Sequence, residues 1–177
     1  SYEDEFDKRA DIYNYDLSLK NHLEEMLERD QAYRTQWILS RQLHHEETQD
    51  DIALRLRADS IDSLNQVEIR QILKEHGFPK KTEVGTSACE AAWIIIQHAP
   101  LDVQKEYLPM LERAATEGNI QAALVAALHD RIDVREGRPQ KYGTQRNHNG
   151  ICPLLNKKMV NQWRKEVGLP PLDEYSK

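Results

Sequence analysis

The stretch Ser87-Ala-Cys-Glu-Ala-Ala-Trp-Ile-Ile-Ile-Gln-His-Ala-Pro100 decides the fold. Ser87 stands three positions before Glu90. At that spacing a serine hydroxyl can accept from the third helical amide while the glutamate reaches back to the cap, so a helix is expected to start there. Ala91 to Ile96 then run on without a polar face, which a helix tolerates only when other helices enclose it. Ala99-Pro100 ends it, because proline disfavours helical backbone at the residue before it. The segment reads as a central helix of an all-α protein.

Working outward, a second segment has the same character. Ala122-Ala-Leu-Val-Ala-Ala-Leu128 is apolar all round, within a helix expected from an Asn119 cap through Ile120 to about Val134. Its alanines let neighbouring helices approach closely. Between the two, Asp102 is expected to cap a helix carrying Val103, Tyr107, Leu108, Met110, Leu111 and Ala114, which stops at Gly118. Upstream, Leu19, Leu23, Met26, Leu27, Trp37 and Ile38 recur at helical spacing, giving a long helix from a Ser18 cap to about His45. Two further helices are expected, one from about Asp50 and one from about Ser60, the latter stopped by Gly77 and Pro79. Residues 1–17 read as an acidic arm with scattered Phe6, Ile12, Tyr13 and Tyr15, and residues 18–177 as a single helical domain. After Gly137, Arg138 to Pro153 has no period and reads as a long ordered loop. A last helix, Asn156 to Val167 with Val160 and Trp163 inward, precedes a terminal turn at Pro170-Pro-Leu-Asp-Glu-Tyr175. The expected architecture is a compact, irregular or orthogonal multi-helix bundle with two central buried helices.

Composition narrows the function classes. A net charge of −6 works against nucleic acid, whose binding depends on a basic surface releasing counterions. No apolar run is long enough for a transmembrane helix. Cys89 and Cys152 lack CxxC spacing and read as free core thiols. The chain begins at Ser1, so an upstream signal peptide, lipid-anchor segment or tag is expected to have been removed, and localisation is open between cytoplasm and export.

Candidate chemistry lies where the two apolar helices end in polar groups: Gln97-His98 on the first and His129-Asp130-Arg131 on the second. Polar groups at the ends of dry helices need partners. The loop run Gln140-Lys-Tyr-Gly-Thr-Gln145 adds Gln140, Tyr142, Thr144 and Gln145, with Gly143 free to turn. In the functional reading His98 is a general acid or base, Asp130 orients it and Arg131 clamps an anion. In the bland reading these residues cap helices and pin the loop.

The chain from about Glu25 to Tyr175 resembles an uncharacterised bacterial family of unknown function. The resemblance rests on Met26, Asp30-Gln31-x-x-Arg34, Asp62-x-x-Asn65, Gly77-Phe78-Pro79, Val84-Gly85, Ala92-Trp93, Gln97-His98-Ala99, Asp130-Arg131 and Gln140-Lys-Tyr-Gly-Thr-Gln145. Phe78 departs from the tryptophan frequent in relatives. The resemblance implies no reaction, but it adds Asp30, Gln31, Arg34 and Asn65 as ligand-binding candidates. Asp30 and Arg34, four apart on one helix, either pair with each other at the surface or reach inward; spacing does not separate the two.

No metal or cofactor is expected. In His44-His45-Glu46-Glu47 adjacent side chains point apart and no HExxH spacing occurs, so a solvated helix end is expected there. His148 and Asn149 read as ordinary loop residues. The leading expectation is a pocket for a small polar or anionic molecule, lined by His98, Asp130, Arg131 and the 142–145 loop, with hydrolase-like chemistry as its extension. The alternative is a non-enzymatic module whose long first helix faces a protein partner.

Overall fold

The computed structural model describes residues 15–43 and 46–172. Six helices lie among them: α1 (Leu17–Leu43), α2 (Gln49–His76), α3 (Lys81–His98), α4 (Leu101–Thr116), α5 (Ala122–Arg135) and α6 (Val160–Glu166). The remainder is loop and one hairpin, β1 (Arg146–Asn147) and β2 (Gly150–Ile151), with Arg146 opposite Ile151. The fold class is all-α, as expected from the apolar helical runs. The chain divides after Ala99 into two units.

In the first unit α1, α2 and α3 pack on one another in every pairing. Its core is Leu23 and Met26 of α1, Ile69 and Leu73 of α2, and Val84, Ala88, Ala91, Ala92, Ile95 and Ile96 of α3, so α3 is the central helix foreseen from its sequence. Several helix starts differ. Asp16, not Ser18, caps α1: its Oδ1 accepts from the Leu19 amide at 3.0 Å. Helix α2 is continuous where two helices were expected, since Ser60 and Ser63 donate to the carbonyls of Leu56 and Asp59 instead of capping. Such bonds to the preceding turn leave the backbone helical. The true start is Thr48, in a capping box with Asp51. Gly77 ends α2 as expected, at φ 72° with its amide on the Leu73 carbonyl.

Helix α3 begins earlier than Ser87 and is broken at Gly85 (φ 80°, ψ 172°). A Cβ at Gly85 would sit 3.6 Å from the Tyr15 ring. The Ser87 hydroxyl is spent on Glu24 of α1, which removes the expected capping box. Of the N-terminal arm, Phe6, Ile12 and Tyr13 lie outside the described residues, as do His44, His45 and Tyr175.

In the second unit α4 packs on α5. Asp102 lies inside the first turn of α4, whose cap position is Pro100. Its charge there favours the helix dipole without a capping bond. Gln121 occupies the cap of α5, and Asn119 donates to Glu117. Helix α5 differs from expectation in one respect that matters below: Val125, Ala126, Leu128 and Ile132 are buried, but Ala122 is exposed and Leu124 half-buried. One side of this apolar helix is open. The expected loop holds the short hairpin, and α6 starts at Val160, with Asn156 capping the turn before it through the amides of Lys158 and Met159. Cys89 and Cys152 are both buried and free. No helix among the described residues is long and apolar enough to cross a membrane.

Candidate functional site

The residues singled out from the sequence fall into both units. Asp30, Gln31, Arg34, Asn65, Gln97 and His98 belong to the first; Asp130, Arg131, Gln140, Tyr142, Thr144 and Gln145 belong to the second.

In the first unit, the end of α3 brings His98 against the middle of α1. His98 Nδ1 lies 3.0 Å from both carboxylate oxygens of Asp30, which is 1% exposed. Gln31 Nε2 donates to the same carboxylate at 2.6 Å. Arg34, one turn along α1, donates through Nη2 to both oxygens of Asp62 on α2 at 2.6 and 2.8 Å. Its Nε is buried without a hydrogen bond, 3.5 Å from Asp30. Asp30 and Arg34 thus reach inward and also face each other. Asn65, fully buried, accepts from Arg29 at 2.7 Å and donates to the Met26 carbonyl at 3.2 Å, which ties α2 to α1. Gln97 is half-buried beside His98.

The charges of this cluster are unequal. Burial pushes the Asp30 carboxyl up, but the hydrogen bond and charge of His98, with Arg34 and Gln31, outweigh it and hold Asp30 below the ordinary carboxylate range. Asp62 goes the other way: burial, with the negative charge of Asp30, outweighs Arg34 and holds it above that range. Because Asp30 is the ionised acceptor, the proton of a neutral His98 ring sits on Nδ1 and leaves a lone pair on Nε2. His98 Nε2 has no partner among the described residues, and the side chain is 15% exposed. Among the described residues the carboxylate against His98 is Asp30, while Asp130 belongs to the second unit.

Asp30, Asp62 and His98 can bring one ligand atom each within 4.8 Å of one another, a spacing compatible with a metal ion. The Arg34 guanidinium already supplies the cation between these carboxylates. A metal has to displace it.

In the second unit Asp130 is fully buried and points at the loop. Its Oδ1 accepts from the amides of Lys141 and Tyr142 at 2.8 and 2.9 Å; its Oδ2 accepts from the Thr144 amide and hydroxyl, both at 2.9 Å. Gln140, equally buried, donates to the carbonyls of Gln145 and Cys152 and accepts from the Gln145 amide. Gln145 Nε2 donates to the Ala127 carbonyl of α5 at 3.3 Å. The Gln-x-Tyr-Gly-Thr-Gln run is therefore a hydrogen-bonded knot tied to α5 through Asp130 and Ala127, with Gly143 at φ 69° making the turn. Arg131 is half-buried on α5. A second carboxylate–imidazole pair accompanies the knot: His129 Nδ1 lies 3.2 Å from Asp133, which also accepts from Arg138 at 2.6 Å.

Two open grooves exist besides. One of about 400 Å³ in the first unit is lined by Asp16, His22, Glu68, Gln71, Glu75 and His76 among others. One of about 260 Å³ in the second unit includes His129 and Tyr142. His98 lines neither. Reading the sequence missed Asp62 as a site residue, although its place three before Asn65 on one face of a helix was the available signal.

No curated protein and no solved structure matches the chain. Residues 17–177 match the model of DUF6624, a family of unknown function, and the chain belongs to that family.

Proposed function

We propose that the first unit binds a small polar or anionic molecule at the exposed edge of His98, and that His98, oriented by Asp30, exchanges a proton with it. The observation that carries this reading is the orientation of the ring: Nδ1 is fixed on an almost fully buried, ionised carboxylate while Nε2 has no partner among the described residues. This is the arrangement by which a carboxylate fixes the tautomer and orientation of an imidazole. Arg34, buried beside Asp30 with its Nε 3.5 Å from that carboxylate, keeps positive charge next to the site, which favours an anionic ligand. Hydrolase-like acid–base chemistry is the extension of the same site. A melting-temperature screen of phosphates, carboxylates, sugars and amino acids tests it, because a ligand that binds only the native state raises its melting temperature. A compound that stabilises the wild type and not His98→Ala or His98→Gln is the expected result. If no compound shifts the wild type and both variants only melt earlier, the dyad is a structural brace.

A second reading is favoured by one observation on the same unit. Leu39 and Leu43, one turn apart near the end of α1, are 54% and 80% exposed, and Leu56, Leu64 and Val67 form an exposed stripe on α2. Exposed apolar stripes mark interaction surfaces. In this reading the unit is a protein-interaction module. Leu43→Glu is expected to leave stability within about 0.5 kcal/mol while removing a concentration-dependent increase in sedimentation rate; an increase that survives Leu43→Glu and Val67→Glu excludes these stripes as the interface.

A further inference from the structure

The open side of α5 borders a groove within the second unit. Ala122, Val125, Ala126 and His129 recur at helical spacing along α5 and face Ala115 and Glu112 of α4 across the groove of about 260 Å³, which Tyr142 and Val167 complete. All of these residues belong to the second unit, so nothing here depends on His98. The buried Val125 and Ala126 form the floor and the half-buried Ala115 and exposed Ala122 the rim, side chains too short to fill the space between two helices. Apolar walls with a few converging polar groups are the general form of a small-molecule site.

Three polar groups converge there. The Glu112 carboxylate has no ion-pair or hydrogen-bond partner among the described residues, and its backbone carbonyl already satisfies the Thr116 hydroxyl at 3.0 Å. The His129 Nδ1 lies 3.2 Å from Asp133 without a hydrogen bond of good geometry, and its Nε2 has no partner among the described residues. The Tyr142 hydroxyl likewise has none, while the Tyr142 amide is anchored on Asp130 and the ring stands edge-on to His129 at 6.4 Å between centroids. No arginine or lysine lines the groove. Lys141, the nearest basic residue in sequence, is held over the Tyr142 and Trp163 rings at 5.0 and 5.4 Å. The only formal charge on the lining with no counter-ion is therefore negative.

We propose that this groove binds a small organic cation, a primary amine with an apolar or aromatic body of roughly ten non-hydrogen atoms. Its ammonium group pairs with Glu112 and its body lies along Ala115, Ala122, Val125 and Ala126. The lone pair of His129 Nε2 and the Tyr142 hydroxyl oxygen at the polar end accept its remaining N–H groups.

Nuclear magnetic resonance titration of the full chain tests this with phenethylamine, a compound of that size, against 3-phenylpropionate, which keeps the body and reverses the charge. Phenethylamine is expected to give saturable shifts at the amides of Ala122 to His129 and of Tyr142. Glu112→Gln, at an exposed position that leaves the fold intact, weakens it about fivefold, the loss of one partly exposed ion pair. Ala122→Phe, also at an exposed position, fills the groove and removes the shifts. The proposal is overturned if 3-phenylpropionate binds as tightly as the amine, if Glu112→Gln binds phenethylamine as well as the wild type does, or if the wild type shows no saturable shifts at these amides.

Discussion

At the scale of the residue, the first unit turns on one carboxylate. Asp30 is depressed in the folded state, so it contributes stability that is complete above the ordinary carboxylate value near 3.9 and is lost as pH falls through its lower folded value. Asp62 is raised, so its proton uptake on acidification favours the folded form and precedes that of Asp30. The stability gap between wild type and Asp30→Asn, followed by urea unfolding, is therefore expected to be flat above about pH 5 and to narrow below about pH 4. A gap that stays unchanged to pH 3 shows that Asp30 is not ionised against His98. The same cluster predicts a metal response. Arg34→Met removes the cation held between Asp30 and Asp62, and Zn²⁺ is expected to raise the melting temperature of that variant by more than it raises that of the wild type. Of this cluster, His98, Asp30 and Arg34 were legible as separate residues, but not as partners. His98 and Asp30 lie on different helices 68 positions apart, and only the packing of α3 on α1 decides which carboxylate meets the ring. Asp130, nearer to His98 in sequence, accepts from three backbone amides of its own unit.

At the scale of the element, apolar runs located the helices and local polar chemistry misplaced their ends. Thr48, Asp16 and Ser60 show why: a hydroxyl or carboxylate can cap, back-bond or leave for another helix, and only its neighbours choose. Ser87 carried the capping-box spacing and still bonds to Glu24. The glycines permit a sharper comparison. Gly77 and Gly143 both have positive φ, but a Cβ at Gly77 meets nothing within 4 Å, whereas one at Gly143 lies 3.0 Å from Leu154 and 3.2 Å from Leu172. Gly77, at φ 72° and ψ −163°, lies where essentially only glycine is found, and Gly77→Ala is expected to cost about 1–3 kcal/mol of backbone strain. Gly143→Ala adds overpacking to that strain and is expected to cost about 1–3 kcal/mol more. Equal losses in denaturant midpoint refute the packing at the 143 turn.

At the scale of the whole molecule, both candidate sites trace to incomplete burial of otherwise apolar helices. Helix α3 is buried over most of Ala88 to Ile96 and leaves Gln97 and His98 of its last turn half-buried; α5 keeps Ala122 exposed and Leu124 and His129 half-buried. The sequence pattern of α5 is the same all-round apolar run as that of α3, so periodicity alone gave no sign of the difference. Its alanines carried the information. A helix rich in alanine has little side chain to bury, and it can stay open without a large hydrophobic penalty. The division after Ala99 also had no compositional mark, because the connection is only the Ala99-Pro100 step between consecutive helices rather than a polar linker.

The knot at Asp130 has a further consequence. Three backbone amides and a hydroxyl converge on one buried carboxylate, and such convergent amides form an anion-binding nest. Asp130→Ala is expected to cost about 3 kcal/mol or more, since it strands buried donors, and to leave a hole the shape of the missing group. Formate or acetate added to that variant should settle into the hole and restore much of the lost melting temperature, while having no such effect on the wild type. The protein then becomes a receptor for the fragment of itself that was cut away.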